Sequence, residues 1–173
     1  MGSKNEKSIG PPSINNINIY KEATMAYSGK FKPTNLQKYK GDWKKIQYRS
    51  SWEAWFMRWL DNHPNVVQWN SEEVVIPYFC NAEGKKRRYF MDFWVKFDTG
   101  QQFFFEVKPF KETHAPAVPV KMTTAAKKRY INEHYTWSVN TDKWKAAKAT
   151  ADKMGITFRL ITEHSLKKLG WKG

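Results

Sequence analysis

The stretch RRYFMDFWVKFDTGQQFFFEVKP, residues 87–109, decides how the chain is read. It has the look of two strands joined by a short turn, which between them carry Asp92, Glu106 and Lys108. Side chains alternate across a strand, so Tyr89, Met91, Phe93, Val95 and Phe97 fall on one face, with Phe90, Asp92, Trp94 and Lys96 on the other. In the second run Phe103, Phe105 and Val107 oppose Phe104, Glu106 and Lys108, so Glu106 and Lys108 point the same way. A three-residue loop of Asp98, Thr99 and Gly100, with the glycine in the left-handed position such loops need, sets Phe97 opposite Gln101. Counting back along that ladder sets Asp92 opposite Glu106, with Cβ atoms roughly 5 Å apart.

Two carboxylates that close repel unless a positive charge lies between them. A hard divalent cation such as Mg²⁺ prefers carboxylate oxygen and keeps positions open for water and a phosphate oxygen. Lys108 completes a hydrolytic set. The plain alternative is a surface hairpin whose charges pair for solubility. Against it stand the apolar run around Asp92 and the three phenylalanines that precede Lys108 on a strand that reads as buried, because ionisable groups in such places need partners.

A chain of 173 residues is one domain's worth. Its 30 Lys and Arg against 16 Asp and Glu give a net charge of +14 and a pI near 9.8, so a polyanion is the expected partner and nucleic acid the foremost one. A mean hydropathy of -0.76 and the lack of a long apolar run predict no membrane span. The N-terminus shows no apolar segment of the secretory kind. Cys80, the single cysteine, excludes an internal disulfide, fits a reducing compartment and reads as a small buried residue. His63, His114, His134 and His164 are scattered without zinc-ligand spacing, and no phosphate-cradling glycine loop is present.

Taken in order, residues 1–24 are rich in Ser, Asn, Ile and Lys without a sustained period, and read as a mobile arm or leader. Residues 26–45 interleave rings with lysines, which suits either an arm that straps onto a phosphate backbone or one that packs its rings on the body. Residues 51–62 are the clearest helix, with Trp52, Trp55, Phe56, Trp59 and Leu60 on one stripe. Glu53 lies at the edge of that stripe, and with Ser50 it also makes a capping box. Residues 66–69 and 72–79 read as strands, the second pushed toward an edge by Pro77. Lys85, Lys86, Arg87 and Arg88 follow a turn at 81–84 and put four charges beside the acids, as a phosphodiester wants or as a solvated run would have. Residues 111–122, with Pro116 and Pro119, read as a loop bordering or covering the site. A basic helix over 124–135 carries Lys127, Lys128 and Arg129. A second helix, capped by Asn140 or Thr141, runs to Met154, with Lys143, Lys145 and Lys148 mostly on an exposed face. A buried strand at 156–161 and a last helix at 163–169 close the chain.

This order, with Glu53, Asp92 and Glu106-Val107-Lys108, resembles the PD-(D/E)XK nuclease superfamily. Met91 stands where that pattern has proline, while the E-x-K half is intact. The combination of YRSSWEAWFMRWLD, VVIPYF, RRYFMDFWVKF and FFFEVKP looks like the transposon end-cleaving and phage-encoded branch. MAYSGKFKP, TTAAKKRY and SVNTDKWKAA extend the similarity from Met25 onward to the head-completion nucleases of tailed bacteriophages with contractile tails.

The resemblance implies an α/β fold with a restriction-endonuclease-like αβββαβ core. Its mixed sheet would be flanked by helices, with an extra basic helix and an extended N-terminal arm, in a single nuclease domain over 25–173. It implies a metal-dependent DNA endonuclease acting at head completion after DNA packaging, in the host cytoplasm and at the portal vertex of the virion. The partners would be double-stranded DNA and portal or neck proteins. Asp92 and Glu106 would bind Mg²⁺ or Mn²⁺, with the Val107 carbonyl as a further ligand and Glu53 in support. Lys108 would orient or deprotonate the attacking water and stabilise charge on the phosphate. Lys85, Lys86, Arg87, Arg88, Lys127, Lys128 and Arg129 would hold the nucleic acid. An adaptor of the head or portal that binds DNA without cutting it is the competing expectation.

Overall fold

The computed structural model describes residues 27–173, and the arm expected over residues 1–24 lies outside them. Strands β1 (Gly29–Lys30) and β2 (Gln47–Tyr48) form a small antiparallel pair ahead of helix α1 (Ser51–Asn62). Then come β3 (Val66–Ser71), β4 (Val75–Cys80), β5 (Lys85–Phe90), β6 (Phe93–Phe97) and β7 (Gln102–Val107). Helix α2 (Thr124–Met154), β8 (Thr157–Ile161) and α3 (Glu163–Lys168) complete the chain. The main sheet has the order β3-β6-β7-β8, antiparallel except for the parallel pair β7 and β8, while β4 and β5 make a separate two-stranded ribbon. The sheet is therefore mixed and flanked by helices, as a restriction-endonuclease-like α/β fold requires.

Each face of the sheet has its own core. On one side Phe56, Met57 and Leu60 of α1 and Leu166 of α3 pack on Phe93, Val95, Phe105, Val107 and Ile161. On the other, Ala147 and Ala151 of α2 cover Phe104, together with Ile76, Tyr78, Tyr89 and Met91 of the ribbon and its exit. The expected stripe of α1 is rotated: Phe56, Met57 and Leu60 are fully buried, whereas Trp52, Trp55 and Trp59 are half-buried at its flanks. Phe31, Tyr39 and Trp43 pack on the first core, so these three rings face the body, while Tyr27 stays exposed.

The hairpin register is the expected one. Phe97 N–H donates to the Gln101 carbonyl at 2.9 Å, and Gly100 sits at φ 81 in the left-handed region. Phe93 then pairs with Phe105 and Val95 with Phe103, which places Asp92 next to Glu106 just past the last pair.

Two expectations need correction. The strand read across 89–97 is broken at Met91 and Asp92, where the chain leaves the ribbon for the main sheet. On the facing strand Ser71 pairs with Phe93 but Val75 with Phe90, so the register advances by one residue, and Glu72 takes up the extra residue with a positive φ of 58. Such a bulge bends and twists the strands. Tyr89 and Met91 accordingly join the core beneath α2, while Phe93 and Val95 join the core beneath α1. Alternation could not show this, because a period of two survives a change of partner strand.

The second correction concerns the helices expected over 124–135 and from Asn140: they are one 31-residue helix. Neither glycine nor proline interrupts residues 124–154. Thr141 is no cap; its hydroxyl donates back to the Trp137 carbonyl at 2.8 Å, within the helix. The true ends are Thr123, whose side chain accepts from Ala126 N–H, and Gly155 at φ 66.

Candidate active site

The two acids face an open cleft of about 1210 Å³ between the start of α1, the β5–β6 break and the end of β7. Glu53, Asp92, Glu106, Val107 and Lys108 all line it. Three separate elements thus deliver the expected residues to one place. Among the basic residues expected to meet nucleic acid, Arg88 lines the cleft and the others do not. Lys85 and Arg87 bend back to Glu83, at 3.2 and 3.1 Å. Lys86 points away on the ribbon's outer side, and Lys127, Lys128 and Arg129 lie in the first turns of α2. Of the loop expected at 111–122, only Glu112 borders the cleft, next to Pro109.

Glu106 is 2 % exposed, and its carboxylate is committed on both oxygens. Oε2 accepts the Tyr89 hydroxyl at 2.6 Å, and Oε1 lies 3.3 Å from Lys108 Nζ. Asp92 Oδ2 accepts the Val107 N–H at 2.9 Å. That bond ties the bend after β5 to the end of β7. Burial, followed by the charge of Glu106, pushes the Asp92 carboxyl well above the usual carboxylate range, against the pull of Lys108. Burial by itself would lower the Lys108 ammonium, but Glu106 and Asp92 outweigh it and hold Lys108 above its ordinary value. Burial also raises Glu53.

The capping box of Glu53 is present, and the same side chain lines the cleft. Its Oε1 accepts the Ser50 hydroxyl at 3.1 Å, its own N–H donates to Ser50 Oγ, and its Oε2 accepts Arg49 N–H at 2.8 Å. The capping role fixes the carboxylate at the cleft wall, where it feels Lys108.

Two further residues belong to the site and were not anticipated. Tyr89 buries its hydroxyl against Glu106, and burial with that neighbour drives its phenol far above the ordinary value. Lys143, expected on an exposed face, is half-buried in the cleft wall with Nζ 5.5 Å from the Tyr89 ring centre, and burial lowers its ammonium. Its signal was weak: Asn140 and Ala147, one turn to either side on the same face, are buried, but a helix started at Asn140 leaves that face unmarked.

The raised Asp92 has a consequence for stability. An acid whose folded-state pKa is raised contributes stability that is present below its ordinary value and lost as pH climbs through the raised one. In chelator, the melting temperature of Asp92→Asn should therefore exceed that of the wild type by a margin that widens from acid to neutral pH. Parallel melting curves that never diverge would remove the repulsion inferred between Asp92 and Glu106.

Comparison with known proteins supplies the lineage. Residues 63–163 match the family model described as TnsA-like endonuclease N terminal. That span includes Asp92, Glu106 and Lys108 but begins after Glu53. The chain is also 64 % identical over 149 residues to the head completion nuclease of Enterobacteria phage T4, a match covering 86 % of this chain and 99 % of that relative. With acids and lysine gathered on the bent hairpin inside the matched span, the chain belongs to the TnsA-like endonuclease family, as a nuclease homologous to a phage head-completion protein.

Proposed function

We propose that the chain hydrolyses phosphodiester bonds of double-stranded DNA with a divalent cation, Mg²⁺ or Mn²⁺, during head completion. The observation that carries this is the pair Asp92 and Glu106, crowded enough to raise Asp92 and flanked by Lys108 in an open cleft. Two carboxylates whose charge the single Lys108 ammonium only partly offsets form a hard oxygen donor set, which fits a small divalent cation. Among the described residues no three His, Cys, Asp or Glu come together, so the side-chain ligands would be these two. Mg²⁺ commonly makes do with one or two carboxylates and water. The Val107 carbonyl would add a ligand, and Glu53 would support the site through water. When bound, the cation supplies a Lewis acid and a water of lowered pKa.

The protein's own groups do the rest. Lys108, held protonated by its two acids, donates to a phosphate oxygen and stabilises the charge that builds there, a role better suited to an ammonium above its ordinary pKa than proton removal. Tyr89 holds Glu106 in place through its hydroxyl, and Val107 N–H holds Asp92. Arg88 and Lys143 bring positive charge to the walls along which a strand would run. Portal or neck proteins would be the partners in assembly. No helix among the described residues is long and apolar enough to cross a membrane.

Nicking of supercoiled plasmid in Mg²⁺ or Mn²⁺, abolished by chelator, tests the reading. DNA binding with no cleavage under any divalent metal would leave the adaptor role instead. A charge of +14 also predicts that raising salt from about 50 to 200 mM weakens duplex binding by about 10³-fold or more, as six or more phosphate contacts would. A flat salt response, read by anisotropy, would count against phosphate contacts as the source of affinity.

A further inference from the structure

The ribbon of β4 and β5 has a buried side and an exposed one. Ile76, Tyr78, Cys80 and Tyr89 face the core, while Val75, Pro77, Phe79, Lys86, Arg88 and Phe90 face outward. The outward side chains pair across the strands as Val75 with Phe90, Pro77 with Arg88 and Phe79 with Lys86. Phe79 is 52 % exposed, Phe90 43 % and Val75 44 %, and the Arg88 guanidinium lies 5.6 Å from the Phe90 ring centre. No acid is among the six. Solvent gains nothing from two open phenylalanine rings, and a bare apolar ribbon is an aggregation hazard.

We infer that this outer face is a stacking platform for an unpaired stretch of DNA strand next to the duplex being cut, an inference that rests on the nuclease reading above. Duplex phosphates alone would need only Lys86 and Arg88, because paired bases hide their faces inside the helix. Rings spaced along a basic β surface are instead what single strands use, with bases stacked on aromatics and phosphates met by cations. The face also runs into the candidate site: Arg88 and Phe90 line the cleft as well as the ribbon. Phe90 is two residues from Asp92, at most about 7 Å of chain. That is close to one backbone step between neighbouring phosphates of a DNA strand. A base stacked on Phe90 therefore places a nearby phosphate at the acids. The enzyme would prefer ends, gaps or forks over uninterrupted duplex.

The test compares a blunt DNA hairpin with the same hairpin carrying a single-stranded tail of about ten nucleotides, a length within the range of known single-strand sites. Binding is read by fluorescence anisotropy with the full chain in chelator, so that cleavage does not enter. The wild type should bind the tailed hairpin about tenfold or more tightly than the blunt one. The Phe79→Ala variant should keep wild-type affinity for the blunt hairpin, because that ring is exposed and outside the cleft, and the Phe79→Ala/Phe90→Ala double variant should shrink the tail preference to about twofold or less. Equal wild-type affinities, or a preference that survives the double substitution, would overturn the platform and leave the face to a protein partner. Plasmid nicking with metal separates the two ideas: nicking without tail preference sinks the platform alone, and tail preference without nicking sinks the nuclease reading alone.

Discussion

Neutral isosteres at the three charged positions, Asp92→Asn, Glu106→Gln and Lys108→Met, are each expected to reduce plasmid nicking by about 10³-fold or more, with duplex binding in chelator unchanged. Asparagine can still accept from Val107 N–H and glutamine from the Tyr89 hydroxyl, so the bonds that shape the site persist. What disappears is the charge that would hold the cation and meet the phosphate. Groups acting as one unit are not additive, and the Asp92→Asn/Glu106→Gln pair should be little worse than either single change. Lys108→Arg should not restore activity, because a planar fork on a longer stem does not replace a compact ammonium packed 3.3 Å from Glu106. Losses below about tenfold across all three positions would move the chemistry elsewhere in the cleft.

The largest effect on stability is expected from Phe56→Ala. The Phe56 ring is fully buried, edge-on to Phe93 at 5.2 Å and Phe105 at 5.6 Å, and stacked on Trp59 at 5.8 Å. Its removal opens a cavity between α1 and the sheet that neither side can close, at a cost of about 3–5 kcal/mol. For a chain of this size that lowers the melting temperature by about 6–20 °C. Trp52→Ala, at the half-buried flank against Trp171, should cost clearly less despite its larger ring. Since α1 also carries Glu53, Phe56→Ala should lose nicking on warming well before the wild type does. Equal melting losses for the two variants would mean that the helix packs on its tryptophans after all.

Much of this was legible in the residues, and the failures have physical causes. The hairpin register followed from one glycine: Gly100 tolerates the left-handed turn, and a turn of fixed length fixes every pair behind it. The bounds of α1 followed from Ser50 and from His63-Pro64. The long helix was cut in two because Asn140 resembles a cap. Its side chain is instead buried in mid-helix, a tertiary fact that no local pattern carries. Lys143 and Tyr89 escaped for a related reason. Lys143 meets the acids from a helix distant in sequence, and Tyr89, set by alternation on the face opposite Asp92, is brought to Glu106 by the break at Met91 and Asp92. The bulge at Glu72 was invisible, since a non-glycine residue with positive φ is held there by pairing rather than by its own preference.

The parallel pairing of β7 with β8 also bears on when the protein becomes dangerous to DNA. Lys108 N–H donates to the carbonyl of Ile161 at 2.9 Å, and Val107 pairs with the same residue. The strand that pins the end of β7 thus follows the whole of α2 in the chain. A chain cut before Thr157 keeps the acids and the lysine but lacks their anchor, and on the nuclease reading proposed above it is expected to make no cuts.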